Sequence, residues 1–299
     1  MREFDVDAGG GRVLRGYDVG ATSRSDELAV LWHHGTPNVG VPPEPLFGPA
    51  AALGLRWIGF DRPGYGGSTA RPGRSVATAA EDAALVADHL GLDSFAVLGH
   101  SGGGPHALAC GVLLADRVLA VAAISSPAPW PSEDMDYFAG MSMGSARELR
   151  AATEGRDVLE RVLATGEFDP ESFIAADQAA LSGDWSWFDG IVNAATANGL
   201  GGMVEDDVSA MAPWGFDVGQ LTVPTLIMHG TADRMVPCSH GRWLAAHCPT
   251  AELRLYEDEG HISVLTSAPT ALAWLRDHAA PPRPPSTGEV SRLDRPGSR

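Results

Sequence analysis

A serine hydroxyl becomes a useful nucleophile only beside a base, and the base needs an acid to orient it. Gly99-His100-Ser101-Gly102-Gly103 sets a serine between glycines two positions away on either side, behind the apolar run "FAVL" and ahead of "PHALAC". A serine on a tight strand-to-helix bend is forced into unfavourable backbone angles and leaves little room for neighbouring Cβ atoms. Glycine on both sides relieves that crowding and lets the hydroxyl project. The following helix would point its N-terminus at the same spot, where negative charge develops. Two other uses of a glycine-rich turn fail on spelling. A dinucleotide loop needs a second glycine where Ser101 stands, and a phosphate-cradling loop needs a Gly-Lys pair.

Ten histidines could supply the base. His261 follows the strand-like "LRLYEDEG" and belongs to the last strand-to-helix loop, whereas His34, His100 and His229 lie at other strand ends, where structural hydrogen bonds are the common fate. His89, His240, His247 and His278 occupy or flank helical segments, as surface or packing residues do. For the acid, "PTLIMHGTADRMVP" offers Asp233 in a turn after a buried strand; Glu257 and Asp258 are rivals, but nearly adjacent to His261 in sequence. The chain order Ser101, Asp233, His261 is the one a nucleophile elbow of this kind uses. "WHHGTPNVG" closes another strand with a tight turn. The backbone N–H groups of Thr36 and Gly102 are the candidate donors of an oxyanion hole. "DRPGYGGS" (61–68) is expected to brace the site.

The elements that must hold these residues alternate. "RVLRGYDV" reads as a half-exposed strand; "LAVLWHHG", "LRWIGFDRPG", "FAVLGHS" and "VLAVAAISS" are continuous apolar runs of strands covered on both faces. Ser75 to Leu92 carries Ala79, Ala83, Val86, Ala87 and Leu90 on one helical stripe, with Ser75 as N-cap and Gly91 near the end. The pattern resumes in "PTLIMHGTAD", "AELRLYEDEGH" and "APTALAWLRDHA". Such alternation yields an open, doubly wound, mostly parallel α/β sheet. Between Pro127 and Trp214 the strand runs vanish and helix-period segments replace them, which reads as a lid-sized helical insertion. Trp185, Trp187 and Phe188 within it would either wall an apolar acyl pocket or pack the insertion onto the core. The division is core 1–126, helical cap 127–214, core 215–280, and a Pro- and Arg-rich tail 281–299 expected to be disordered.

Composition narrows the function. The formal charge is −17, from 38 acidic and 21 basic residues, which disfavours nucleic acid and anionic membranes as partners. Every basic residue is arginine, so Schiff-base lysine chemistry is excluded. The apolar runs are too short to span a bilayer, and "MREFDVDAGGGR" lacks the apolar core of a signal peptide, so a cytoplasmic location is expected. Cys110, Cys238 and Cys248 have no zinc spacing, and no metal or cofactor is expected.

Together "HGTP", "DRPGYGGS", "GHSGGG", "HGTADRMVP" and "EGH" make the chain resemble the α/β-hydrolase superfamily from about Val13 to Ala280. The resemblance implies a helical cap after the sixth core strand, where the 127–214 insertion falls, and a Ser101–His261 pair oriented by Asp233. It argues against haloalkane dehalogenase or epoxide hydrolase chemistry, because those relatives carry Asp where this chain has Ser101. The expected activity is hydrolysis of an ester-type acyl bond of a small apolar substrate through an acyl-enzyme on Ser101. The same triad would also serve lactones, peptide or amide bonds, C–C bonds or acyl transfer. A receptor-like ligand binder with little turnover is the alternative from another class.

Overall fold

The computed structural model describes residues 1–20, 27–166 and 169–279. Eight strands form one sheet: β1 (Arg2–Asp7), β2 (Val13–Val19), β3 (Leu28–His33), β4 (Leu55–Phe60), β5 (Phe95–His100), β6 (Val118–Ile124), β7 (Thr225–Gly230) and β8 (Ala251–Tyr256). Their spatial order is β1-β2-β4-β3-β5-β6-β7-β8. The β1–β2 and β2–β4 pairs are antiparallel and every later pair is parallel. The central strands β5, β6 and β7 are buried almost throughout, as continuous apolar runs require. The sheet is the mostly parallel, doubly wound α/β architecture expected, and β1 is an addition. Its sequence, "REFDVD", sets Phe4 and Val6 between acidic residues, the alternation of a half-exposed strand, and it pairs along β2 at the edge of the sheet.

Helices cover both faces. On the core they are α1 (Phe47–Ala52), α2 (Thr78–His89), α3 (Gly104–Leu113), α9 (Cys238–His247) and α10 (Ala268–His278). One apolar layer joins α2 and α3 to the sheet through Ala83, Val86, Ala107 and Leu108; the other sets Leu272 and Leu275 of α10 against Trp32, Leu98 and Leu226. The α2 stripe is buried as read, but its start differs. The N-cap is Ala77 without a side-chain bond, and Ser75 contributes only its carbonyl, which accepts from Thr78 Oγ1 at 2.7 Å. Gly91 does end the helix, at φ 65°, with Leu92 N–H donating to Ala87 O.

Among the described residues, five helices fall between β6 and β7: α4 (Met143–Glu154), α5 (Arg156–Thr165), α6 (Ala175–Leu181), α7 (Trp187–Thr196) and α8 (Gly201–Ala210). Tyr137, Ala151, Leu159, Val204 and Met211 give α4, α5 and α8 a small apolar cluster of their own. The tail assigned to 281–299 lies outside the described residues. No helix among the described residues is long and apolar enough to cross a membrane.

Candidate active site

The bend after β5 has the backbone that its glycines foretell. Ser101 sits at φ 54°, in the left-handed region that costs a non-glycine residue on the order of 1–3 kcal/mol. A Cβ on Gly99 would collide with the Gly103 carbonyl, and one on Gly103 with the His33 carbonyl, so both flanking positions admit glycine alone. Helix α3 starts at Gly104 with Pro105 in its first turn, where a missing N–H costs nothing. The serine is half-buried at the N-terminal end of that helix.

His261 follows β8 and is buried, with its ring against Asp233: Nδ1 donates to Oδ2 at 2.8 Å. Asp233 lies in the turn after β7, and its Oδ1 accepts the N–H groups of Met235 and Val236, each at 2.9 Å. Burial pushes this carboxyl up, but the His261 charge and hydrogen bonds from His229 and His261 outweigh it, holding Asp233 below the usual range. Burial likewise pushes His261 down, and the Asp233 charge and hydrogen bond more than offset it, raising the imidazole above its ordinary value. With Nδ1–H committed to Asp233, Nε2 keeps the lone pair. His100, the residue before Ser101, has its ring centroid 5.0 Å from that of His261, tilted by 46°, and donates Nε2–H to the His261 carbonyl at 3.1 Å. Among the described residues no hydrogen bond joins Ser101 Oγ to His261 Nε2. Of the rival acids, Glu257 instead accepts from Thr231 Oγ1 at 3.4 Å.

A residue that the sequence did not single out fixes the His261 loop. Asp177, fully buried on α6, accepts Ile262 N–H and Ser263 N–H with one oxygen, both at 2.8 Å, and Ile174 N–H with the other at 3.2 Å. Its carboxylate occupies the space a Cβ on Gly260 would need. Nothing local in "FIAADQ" marks its hold on the His261 loop, because Ile262 and Ser263 are more than eighty residues away.

The turn after β3 is held by a second unforeseen carboxylate. Asp206 of α8 is buried and accepts Arg62 Nε (3.1 Å), Arg62 Nη2 (2.6 Å), Arg74 Nη2 (2.5 Å), Tyr65 OH (2.8 Å) and Thr36 Oγ1 (2.7 Å). Arg62 also donates to the carbonyls of His34 and Gly35, tying down the backbone of the turn. Burial pushes the Asp206 carboxyl up, but the two guanidinium charges dominate and it is held well below the usual range. A Cβ on Gly102 would touch Thr36 Oγ1 and lie 3.4 Å from Thr36 N, so the two candidate oxyanion donors are neighbours. "DRPGYGGS" thus braces the turn, through Arg62 and Tyr65.

A cavity of about 300 Å³ opens at Ser101, Gly102 and Thr36 and runs between α4, α5 and α8. Trp185, Trp187 and Phe188 are not among its lining residues. Trp185 and Phe188 are buried with Ile262 and Val264, Trp187 packs beside them, and Phe188 lies 6.0 Å from the His100 ring. The structure therefore gives the three aromatics the packing place, because α7 folds down onto the loop carrying His261 and leaves the cavity to α4, α5 and α8. All three cysteines are free thiols, and no group of metal-ligating side chains occurs among the described residues.

A family model described as "alpha/beta hydrolase fold" matches residues 29–268. The dihydrolipoyllysine-residue acetyltransferase component of the acetoin cleaving system of Cupriavidus necator is 27% identical over 74% of this chain; the chain spans only 55% of that protein. A non-heme haloperoxidase of Rhodococcus erythropolis is 29% identical over 82% of this chain and 90% of its own length. Among solved structures, an esterase from Exiguobacterium antarcticum superposes with a TM-score of 0.67 at 22% identity, covering 93% of this chain and 99% of that one.

Proposed function

The chain belongs to the α/β-hydrolase family, and from that premise we propose that it is a serine hydrolase of ester-type acyl bonds. The observation that carries the reading is the His261 Nδ1–Asp233 Oδ2 hydrogen bond of 2.8 Å, with the His261 ring packed against His100, the residue before a serine held at φ 54°. Asp233 fixes the tautomer that leaves Nε2 basic and stabilises the imidazolium once formed. Ser101 Oγ attacks the acyl carbonyl as His261 Nε2 takes its proton. The carbonyl oxygen becomes an alkoxide received by the N–H groups of Thr36 and Gly102. Collapse expels the alcohol, which leaves with the proton from His261. Water then adds to the acyl-enzyme by the same route and releases the acid. Substrate binding brings Oγ and Nε2 into hydrogen-bond distance, since catalytic contacts in empty sites are commonly loose.

The apolar walls of the cavity suit a small acyl or alkyl group. Lactone and amide hydrolysis would use the same groups, and a panel of p-nitrophenyl esters, lactones, thioesters and aminoacyl amides separates them by rate. A fluorophosphonate should label Ser101 and leave Ser101→Ala unlabelled. Absence of labelling in the folded wild-type protein, with small ligands still bound, would replace the enzyme reading by a receptor-like one.

A further inference from the structure

The cavity at Ser101 is apolar along Val76, Leu149, Val162, Leu163 and Ala210, yet it also carries a pair of carboxyl groups, Glu148 of α4 and Asp207 of α8. The two carboxyl groups lie within hydrogen-bonding reach of each other, and burial raises both above the ordinary carboxyl range. Two carboxylates have no hydrogen to share, so such a contact holds one proton and the pair carries one negative charge. Asp207 is 5% exposed, and its Oδ2 receives no hydrogen bond from any donor. Arg62, the Thr36 hydroxyl and Arg74 Nη2 all serve Asp206, and Arg74 Nε is itself buried without a partner. A third acceptor stands in the same cavity. His106, 3% exposed, donates Nδ1–H to the Gly102 carbonyl at 2.7 Å, which leaves Nε2 as a lone pair, buried and without a partner.

Buried acceptors without donors are costly, and a ligand that brings donors relieves that cost; the pair's negative charge, which the Arg74 and Arg147 charges offset at longer range, favours a cationic one. We propose that this cavity selects an apolar chain ending in an ammonium group, which docks on the Glu148–Asp207 pair, and that it rejects chains ending in a carboxylate. The proposal rests on the serine-hydrolase reading and adds the substrate's charge to it. An ammonium brings three donors and the compensating charge; a carboxylate brings two more acceptors and a repulsion. Arg147 also lines the cavity, but its side chain is exposed and screened, so it offsets the pair weakly.

The test compares n-hexylammonium, 1-hexanol and hexanoate as competitive inhibitors of p-nitrophenyl acetate hydrolysis. Hexylammonium should bind at least about tenfold more tightly than hexanol, with hexanoate the weakest. In Glu148→Gln/Asp207→Asn the advantage of the ammonium over the alcohol should vanish, with thermal unfolding confirming that the variant is folded. If the double variant does not fold, the wild-type ranking decides alone. Hexanoate binding as tightly as hexylammonium, or an ammonium preference that survives in the folded double variant, overturns the proposal. Should p-nitrophenyl acetate resist hydrolysis, calorimetric titration with the same three ligands reads the ranking directly. Fluorophosphonate labelling of Ser101 then judges the hydrolase reading separately.

Discussion

Ser101 and His261 are useful only in the states that their neighbours impose. The Asp233 hydrogen bond chooses the tautomer that leaves Nε2 free, and it raises the imidazole above its ordinary value against the opposing effect of burial. Activity should therefore fall on acidification as Nε2 takes a proton, with the midpoint of the acid limb of kcat/KM above the usual histidine value. Asp233→Asn keeps the shape but can donate to the ring and lock the wrong tautomer, so kcat should drop by about 10³- to 10⁴-fold with little change in thermal stability. A loss smaller than tenfold would point to another acid. Gly103 offers a separate check, because no side chain fits between it and the His33 carbonyl. Gly103→Ala should abolish fluorophosphonate labelling or folding altogether, read by mass spectrometry and circular dichroism together.

At the scale of elements, the strands and the bend were legible in the sequence, and the two carboxylates that secure the loops were not. Continuous apolar runs can only be buried strands, and Gly99, Ser101 and Gly103 spell a backbone geometry, so β5, its bend and α3 follow from local rules. The Thr36 turn, Asp233 and His261 were legible by chain order. Asp177 and Asp206 are spelled like any helix carboxylate, and their partners are set by how α6 and α8 dock, which local pattern does not encode. For the aromatic segment 185–188 the sequence left pocket and packing open for the same reason: an apolar stripe reports burial, not what it is buried against. Asp177 can be tested as a positioning residue. Asp177→Asn can still accept the Ile262 and Ser263 N–H groups but lacks the charge that helps raise His261. It should keep most of kcat while moving the acid limb to lower pH, whereas Asp177→Ala should lose turnover by at least about tenfold. An unshifted limb in Asp177→Asn would leave Asp177 a purely structural tie. Asp206→Ala would strand two buried arginines, and urea unfolding should show a loss of roughly 3–5 kcal/mol.

For the whole molecule, charge and burial make opposite predictions about acid. At −17 the chain repels itself at neutral pH, and bringing it toward its isoelectric point near 4.8 should relieve that repulsion and stabilise the fold. Yet His33, His34, His100, His106 and His240 are buried as neutral imidazoles. Burial, the largest influence on each, holds the first two well below the ordinary value, His100 and His106 at about 3, and His240 at about 4. The unfolded chain takes up protons on these rings from about pH 6.5 downward, whereas the folded one does not until far lower. Their contribution is thus fully present above pH 6.5 and lost as pH falls toward the folded values. His261, raised by Asp233, runs the other way, as do Asp61, Asp82 and Asp207, which burial raises and whose protonation favours the folded state. One pH unit below the ordinary value, each imidazole kept neutral by the fold costs about 1.4 kcal/mol, and the number of such rings sets the direction expected of the acid response. Surface repulsion, by contrast, is softened by counter-ions within a Debye length of about 10 Å at 0.1 M salt. The midpoint of urea unfolding should therefore fall between pH 7 and pH 5.5, and should fall nearly as far in 0.5 M sodium chloride, because desolvation is not screened. A midpoint that rises over that interval at low salt would mean that self-repulsion, not the buried imidazoles, governs the acid response.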